Sequence, residues 1–390
     1  MRIAFFAPHK PIDHPVPSGD LMIGRGLYDF LQSRGHEMEV ASRIRLWNIT
    51  SRPLCWAGAL LEFRKTFRRV KEFNPDLWIT YHSYHKSPDL FGPEIARRLG
   101  IPYVIYQGVF ATKYRRDLRT WPGYIANKKA LLYADHVFAN KEIDFCNLLR
   151  IIISEKLSRT FPGINTDEFG FCPESRNRIR TDLGLNGCTV IMSTAMLRED
   201  VKAESMIDLL NAFEKVARLE PEVRLIIAGD GEARARLEAQ ARQKTGNKVV
   251  FLGRIPRSEL YRYYSAADLF AFPGINEALG MVYLEAQSAG LPVVAYSTNG
   301  PKEAVAHGQT GLLSDEGDIN TLAESILTLV RDREKRERMG KEAPERIRRI
   351  FNLQSNLLHV ESQLLKLIHP EGKSENGQHS NHTALCNRME

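Results

Sequence analysis

The feature that most constrains this chain is an alternation that occurs twice. Short strand-like runs at 3–7, 37–42, 76–81, 101–106 and 136–139, most of them rich in β-branched or aromatic residues, are separated by Gly- or Pro-containing loops and by stretches with helical spacing, the first of them at 21–33. After Arg180 a second series begins, with strand-like runs at 189–193, 223–228, 249–252, 269–272 and 292–295. Strands alternating with helices build a layered α/β domain, and two such series in 390 residues predict two α/β domains of similar size. Beyond Thr321 a helical pattern runs through the charged segment 331–349. Leu353, Leu357, Val360, Leu364 and Ile368 then recur at helical spacing, predicting a packed last helix. From His369 onward apolar periodicity ends, and a disordered tail is expected.

Composition narrows the function classes. At 43% hydrophobic and 26% charged, the chain has enough apolar residues for full cores, which excludes global disorder. No run approaches the roughly 20 apolar residues of a spanning helix, and residues 1–7 read as a first strand and not as a signal peptide. Cys55, Cys146, Cys172, Cys188 and Cys386 are odd in number and form no Cys-x-x-Cys pair, so a reducing cytosol is expected, with neither a disulfide framework nor a zinc site. The net charge of +7 favours an anionic partner without naming one.

The segment 272–295 carries the chemistry. A strand ends near Phe272, a loop carries Glu277, a helix starts around Gly280, and Gly290-Leu291-Pro292 closes it before the next strand. That order places Glu277 at the carboxyl edge of a parallel sheet, where open α/β folds bind ligands. The amides of Leu279, Gly280, Met281 and Val282 then lie at a helix N-terminus suited to a diphosphate, with Glu285 in the second turn. Two glutamates at this spacing alone would be weak, because helix surfaces produce many such pairs.

In its full context of Gly, Pro and strand, the pair Glu277 and Glu285 resembles the Glu-x7-Glu signature of the retaining glycosyltransferases of family 4. Other segments resemble that family in order: Pro162-Gly163 through Phe169, the strand leading to Gly229-Asp230-Gly231, Val250 to Gly253, Ser265 to Asp268, and Gly300 to Gly311. The resemblance covers roughly residues 1–368 and implies an α/β chain of the GT-B fold: two Rossmann-like domains with a cleft between them and a C-terminal helix crossing back to the first. The boundaries it suggests are 1–170 for an acceptor domain, 171–345 for a nucleotide-sugar donor domain, 346–368 for the returning helix and 369–390 for the tail.

The same resemblance implies residue roles. Lys202 and Arg198 would clamp the donor diphosphate, Glu277 would hold the sugar hydroxyls, Glu285 the ribose, and Gly19 would let backbone approach the donor. His82, His85 and Gln107 are acceptor-side candidates. Two local departures stand out: no glycine follows Lys202, and Gln107 stands where many members carry histidine. The sequence has no Asp-x-Asp, Walker A, Gly-x-Ser-x-Gly or His-Glu-x-x-His, so no metal and no redox cofactor are expected.

The implied function is transfer of a sugar from a UDP- or GDP-linked donor to a glycan or lipid-linked acceptor in cell-surface polysaccharide or glycolipid synthesis. The expected partners are the nucleotide sugar and the acceptor, not nucleic acid, with a cytoplasmic location. A nucleotide-sugar epimerase or hydrolase, or a non-catalytic glycan-binding module, are the alternatives. The basic, aromatic-bearing segments 62–71 and 113–121, with Phe63, Phe67, Tyr114 and Trp121, suit an anionic leaflet or a lipid-phosphate acceptor, and equally an ordinary solvated face.

Overall fold

The computed structural model describes residues 1–15, 19–51 and 55–369. The chain divides into two compact units, Met1–Pro162 joined by the chain from Ser355 onward, and Gly163–Gln354. The first break therefore comes before Gly163 and not at residue 170. A Cβ on Gly163 would lie 2.5 Å from the Leu353 backbone, Ile164 and Leu353 are linked by a backbone hydrogen bond, and Phe169 packs on Tyr264, which ties 163–170 into the second unit.

In the first unit the strands are β1 (Arg2–Phe6), β2 (Glu37–Ser42), β3 (Leu77–Ser83), β4 (Tyr103–Gly108), β5 (His136–Ala139) and β6 (Leu157–Arg159). All pair in parallel in the order β2-β1-β3-β4-β5-β6. Helices on the sheet's flanks bury its side chains, and Ile3, Phe5, Phe6, Trp78, Ile79, Val104 and Phe138 are sealed from solvent.

The second unit holds β7 (Thr189–Thr194), β8 (Val223–Ala228), β9 (Val249–Gly253), β10 (Leu269–Ala271), β11 (Val293–Tyr296) and β12 (Gly311–Ser314). Its parallel order is β12-β11-β10-β7-β8-β9. Strand order reverses once in each sheet, between β1 and β3 in the first and between β7 and β10 in the second. These are the places where an open parallel sheet parts its loops and leaves a crevice at the strands' carboxyl ends.

The last helix is Leu353–Ile368, while the preceding charged segment forms a separate helix, Arg333–Ile350, within the second unit. The returning helix accordingly starts at Leu353 and not at residue 346. Leu357, Val360 and Leu364 are buried, and the Glu361 carboxylate accepts from His36 Nε2 at 2.8 Å and Arg34 Nε at 3.1 Å. The expected tail, apart from His369, lies outside the described residues. Among the described residues no helix is long and apolar enough to cross a membrane, and Cys55, Cys172 and Cys188 are free thiols.

His136 in β5 sits in this core at 5% exposure, with Nε2 2.9 Å from Ser158 Oγ. Burial, and then the neighbouring His359, push its pKa down to about 4. A base with a depressed folded pKa leaves the unfolded chain binding the proton first, so its contribution to stability is lost as pH falls from about 6.5 toward 4. The contribution is at most on the order of 3 kcal/mol. His136→Gln should flatten the acid side of the melting temperature profile in that window; an unchanged slope would contradict a buried neutral imidazole.

Candidate active site

In the second unit the loop after β7 and the loop after β10 supply the expected donor-side residues. The first of these loops is braced by the turn Gly229-Asp230-Gly231. Leu197 N donates to Asp230 O at 3.0 Å and Ala233 N to Leu197 O at 2.9 Å. At Gly229, with φ of 149°, a Cβ would lie 1.8 Å from Ala195 O. The short Gly-x-Gly turn thus serves close backbone packing and is not a dinucleotide fingerprint.

The helix Val201–Leu219 begins directly after this loop, with the Asp200 carboxylate accepting from Lys202 N at 2.8 Å as its N-cap. From the first turn of that helix the Lys202 ammonium pairs with Glu277 Oε2, and it lies 5.4 Å from the centre of the Phe272 ring. The structure joins these two residues. Arg198 is not drawn in with them: it is exposed, and its Nη2 lies 2.9 Å from Met196 Sδ.

The Glu277 loop is held in a conformation that few sequences allow. Asn276 has φ of 53°. Gly274 and Gly280, at φ 75° and 78°, leave only 1.9 and 2.3 Å from an added Cβ to Tyr283. Ser205 Oγ accepts from Ile275 N at 3.0 Å, and Gly300 N donates to Glu277 O at 3.2 Å. Gly280 caps the helix Met281–Ser288, whose first-turn amides have no intrahelical carbonyl to bond. Leu279, Gly280, Met281 and Val282 therefore sit beside the Lys202–Glu277 pair at a helix N-terminus.

Glu285 is only 4% exposed. Its Oε1 accepts from Arg257 Nε at 3.1 Å and its Oε2 from the Tyr264 hydroxyl at 3.1 Å. Burial pushes its carboxyl pKa up, against the opposing effects of Arg257 and Tyr264. Arg257 also reaches Glu168 at 3.1 Å and covers the Phe169 ring at 4.8 Å. Sequence reading missed both partners, since Arg257 and Tyr264 lie in no motif.

The first unit builds a second cluster, at the reversal between β1 and β3. His9 follows β1, Asp20 lies in the first turn of the helix Gly19–Ser33, and His82 and Gln107 stand near the ends of β3 and β4. Both His82 and Gln107 are left-handed, at φ 57° and 66°, a conformation that costs these residue types about 1 kcal/mol or more and concentrates at functional sites. Gln107 Nε2 donates to Asp20 Oδ1 at 3.3 Å, and the Tyr81 hydroxyl donates to the same oxygen at 3.2 Å. Burial would raise the Asp20 pKa, but the adjacent His82 outweighs it and holds the carboxyl below its ordinary range. His9 is pushed down to about 4 by burial, then by His82.

Gly19 opens the helix, with no atom of the described residues within 4 Å of where a Cβ would stand. His85 turns away from this cluster: it is buried and stacks on Tyr114 with ring centres 3.5 Å apart. His9, Asp20 and Tyr81 were not singled out from sequence. The strand-end position of His9 after β1 was the signal available.

Gly280→Ala tests the geometry of the Glu277 loop. The left-handed backbone alone should cost about 1–2 kcal/mol, and the displaced Tyr283 ring should disturb the helix N-terminus. Chemical unfolding is expected to show lower stability, together with weaker nucleotide binding; wild-type values for both would contradict the assignment.

Residues 194–346 match the family model of glycosyl transferases group 1. The chain is 33% identical over 195 residues to the GDP-mannose-dependent alpha-(1-6)-phosphatidylinositol monomannoside mannosyltransferase of Mycolicibacterium smegmatis, covering 48% of this chain and 50% of that protein. It is 40% identical over 128 residues to the sulfoquinovosyl transferase SQD2 of Arabidopsis thaliana, covering 32% of this chain and 24% of that one. The chain thus spans half or less of the length of these curated relatives. Among solved structures, Anabaena Alr3699/HepE in complex with UDP superposes with a TM-score of 0.71 at 19% identity, covering 94% of this chain and 100% of that one. Sucrose-phosphate synthase from Thermosynechococcus elongatus gives 0.68 at 20% identity, covering 94% and 99%. The chain thus has the two parallel Rossmann-like sheets of the GT-B fold, and its segment 194–346, which contains Lys202, Glu277 and Glu285, is similar to the group 1 glycosyl transferases.

Proposed function

We propose that the protein is a retaining glycosyltransferase of the family 4 type, moving a sugar from a UDP- or GDP-linked donor to a glycan or lipid-linked acceptor. The observation that carries this reading is the Lys202–Glu277 pair, set at the β7/β10 reversal beside the glycine-capped helix N-terminus. The relatives' names, a mannosyltransferase acting on a phosphatidylinositol mannoside and a sulfoquinovosyl transferase, support a glycolipid acceptor.

Lys202, with Arg198 swung in from its exposed position, meets the charge that grows on the leaving phosphate. That stabilisation acts mainly in the transition state. Glu277 exchanges its ion pair for the donor's sugar hydroxyls and orients the ring. The acceptor oxygen attacks the anomeric carbon from the face the phosphate leaves, the bond to phosphate breaks, and the acceptor proton passes to the departing phosphate. Glu285, its two oxygens already steadied by Arg257 and Tyr264, offers its remaining lone pairs to the ribose. At the first sheet's reversal lie Gly19, which would let backbone approach the donor, and the acceptor-side candidates His82 and Gln107.

A screen of nucleotide sugars by thermal shift identifies the donor, because binding to the native state raises stability by mass action. Donor affinity should persist in EDTA, since the phosphate charge is met by side chains and helix amides. Glu277→Gln should lower turnover on the order of 10-fold or more while affecting donor affinity less. Donor binding that vanishes with chelation, or wild-type turnover in Glu277→Gln, would overturn the reading.

A peripheral contact with the anionic cytoplasmic leaflet fits the same acceptor. Phe63 and Phe67 pack against the core beneath Arg98, so they do not form the apolar part of such a surface. Instead Leu60 and Leu61, at 56% and 58% exposure, continue into exposed Arg64, Lys65 and Arg68 along one stripe of the helix Trp56–Phe73. Leu118 and Trp121, in the second basic segment, are exposed as well. Changing Arg64, Lys65 and Arg68 to glutamate should abolish sedimentation with anionic vesicles and leave donor affinity intact; unchanged sedimentation would make this a solvated face.

A further inference from the structure

We propose that His9, Asp20 and His82 form a binding site for a divalent first-row transition metal ion, with zinc the best match to two imidazoles and one carboxylate. This site lies wholly within the first unit and is independent of the donor assignment.

One ring nitrogen from each histidine and one Asp20 oxygen lie within 4.8 Å of one another. Bonds of about 2.0–2.2 Å around a tetrahedral ion bring such atoms about 3.3 Å apart, so side-chain adjustment of about 1 Å suffices. His82 Nδ1 is already 2.7 Å from Asp20 Oδ1. The two are not aligned as donor and acceptor, and His82 Nδ1 has no hydrogen-bond partner among the described residues. Side-by-side donor atoms of this kind are what a shared cation satisfies. Asp20 Oδ2 is likewise buried without a hydrogen-bond partner among the described residues.

The groups behind the three side chains are arranged as a supporting shell. Tyr84 Oη lies 3.3 Å from His9 Nδ1, which leaves Nε2 as the ligating nitrogen of His9. Gln107 and the Tyr81 hydroxyl hydrogen-bond the Asp20 carboxylate. Both imidazoles are fixed by rings: His82 stacks on Tyr84 with centres 4.9 Å apart, and His9 meets Trp47 at 5.1 Å. With His82 and Asp20 at 16% and 22% side-chain exposure, an ion can enter. Three protein ligands leave a fourth position for water or a hydroxyl oxygen.

Full-length protein stripped with chelator and dialysed free of it is titrated with cobalt(II), then with zinc, with no sugar nucleotide present. The wild type should take up one equivalent of cobalt with the visible bands of a low-coordinate ion, and zinc should displace it. His9→Ala, Asp20→Asn and His82→Ala, each checked by circular dichroism, should lose that equivalent. Tyr84→Phe should keep it with affinity lower by about 10-fold. No cobalt spectrum in the wild type, or equal zinc binding in the wild type and the folded variants, overturns the site. Because no donor is present, failure here is distinguishable from failure of the glycosyltransferase reading.

Discussion

Parallel pairing is the constraint from which the rest follows. Every crossover must return the chain to the same edge of the sheet, so the carboxyl ends of all strands, and the loops that leave them, collect on one side. In the second unit the order reverses between β7 and β10, and the loops from those two strands carry Lys202 and Glu277 to the same point. In the first unit the reversal between β1 and β3 gathers His9, Asp20 and His82 in the same way. Chemistry-bearing residues thus occur once per sheet, at the position where backbone geometry leaves room for a ligand.

The two loops of the second unit are held by backbone and not by side-chain bulk. Gly229 and Gly280 are needed because a Cβ would meet the Ala195 carbonyl or the Tyr283 ring. With the loops fixed in this way, a lysine and a glutamate that would otherwise be solvated face each other at a helix N-terminus. Each neutralises the other, and on the proposed function a diphosphate sugar would replace one ion pair with two sets of contacts.

Much of this was legible in the sequence, and the reasons are local. Apolar runs such as Val223–Ala228 leave few alternatives to a buried parallel strand, and the Gly280 and Gly290 punctuation marks a short helix between β10 and β11. Two short strands escaped notice. Leu157–Arg159 is only three residues long with two of them half-buried, and Gly311–Ser314 opens on a glycine, so neither carries a strong pattern. The first domain boundary was placed eight residues late, because what assigns 163–170 to the second unit is packing against distant residues such as Leu353 and Tyr264. The partners of Glu285 were hidden for the same reason: Arg257 and Tyr264 reach it from separate elements. His9 and Asp20 were invisible as a cluster, since β3 alone brings His82 to them.

The central claim is that Lys202 and Glu277 act as one donor-handling unit. A double-mutant cycle on kcat/KM with Lys202→Ala, Glu277→Gln and the double variant tests it most directly. If both residues stabilise the same transition state, the double variant loses markedly less than the product of the two single losses. Strict additivity, with the two fold-changes multiplying, would contradict the account and leave the ion pair as a surface contact without a part in the reaction.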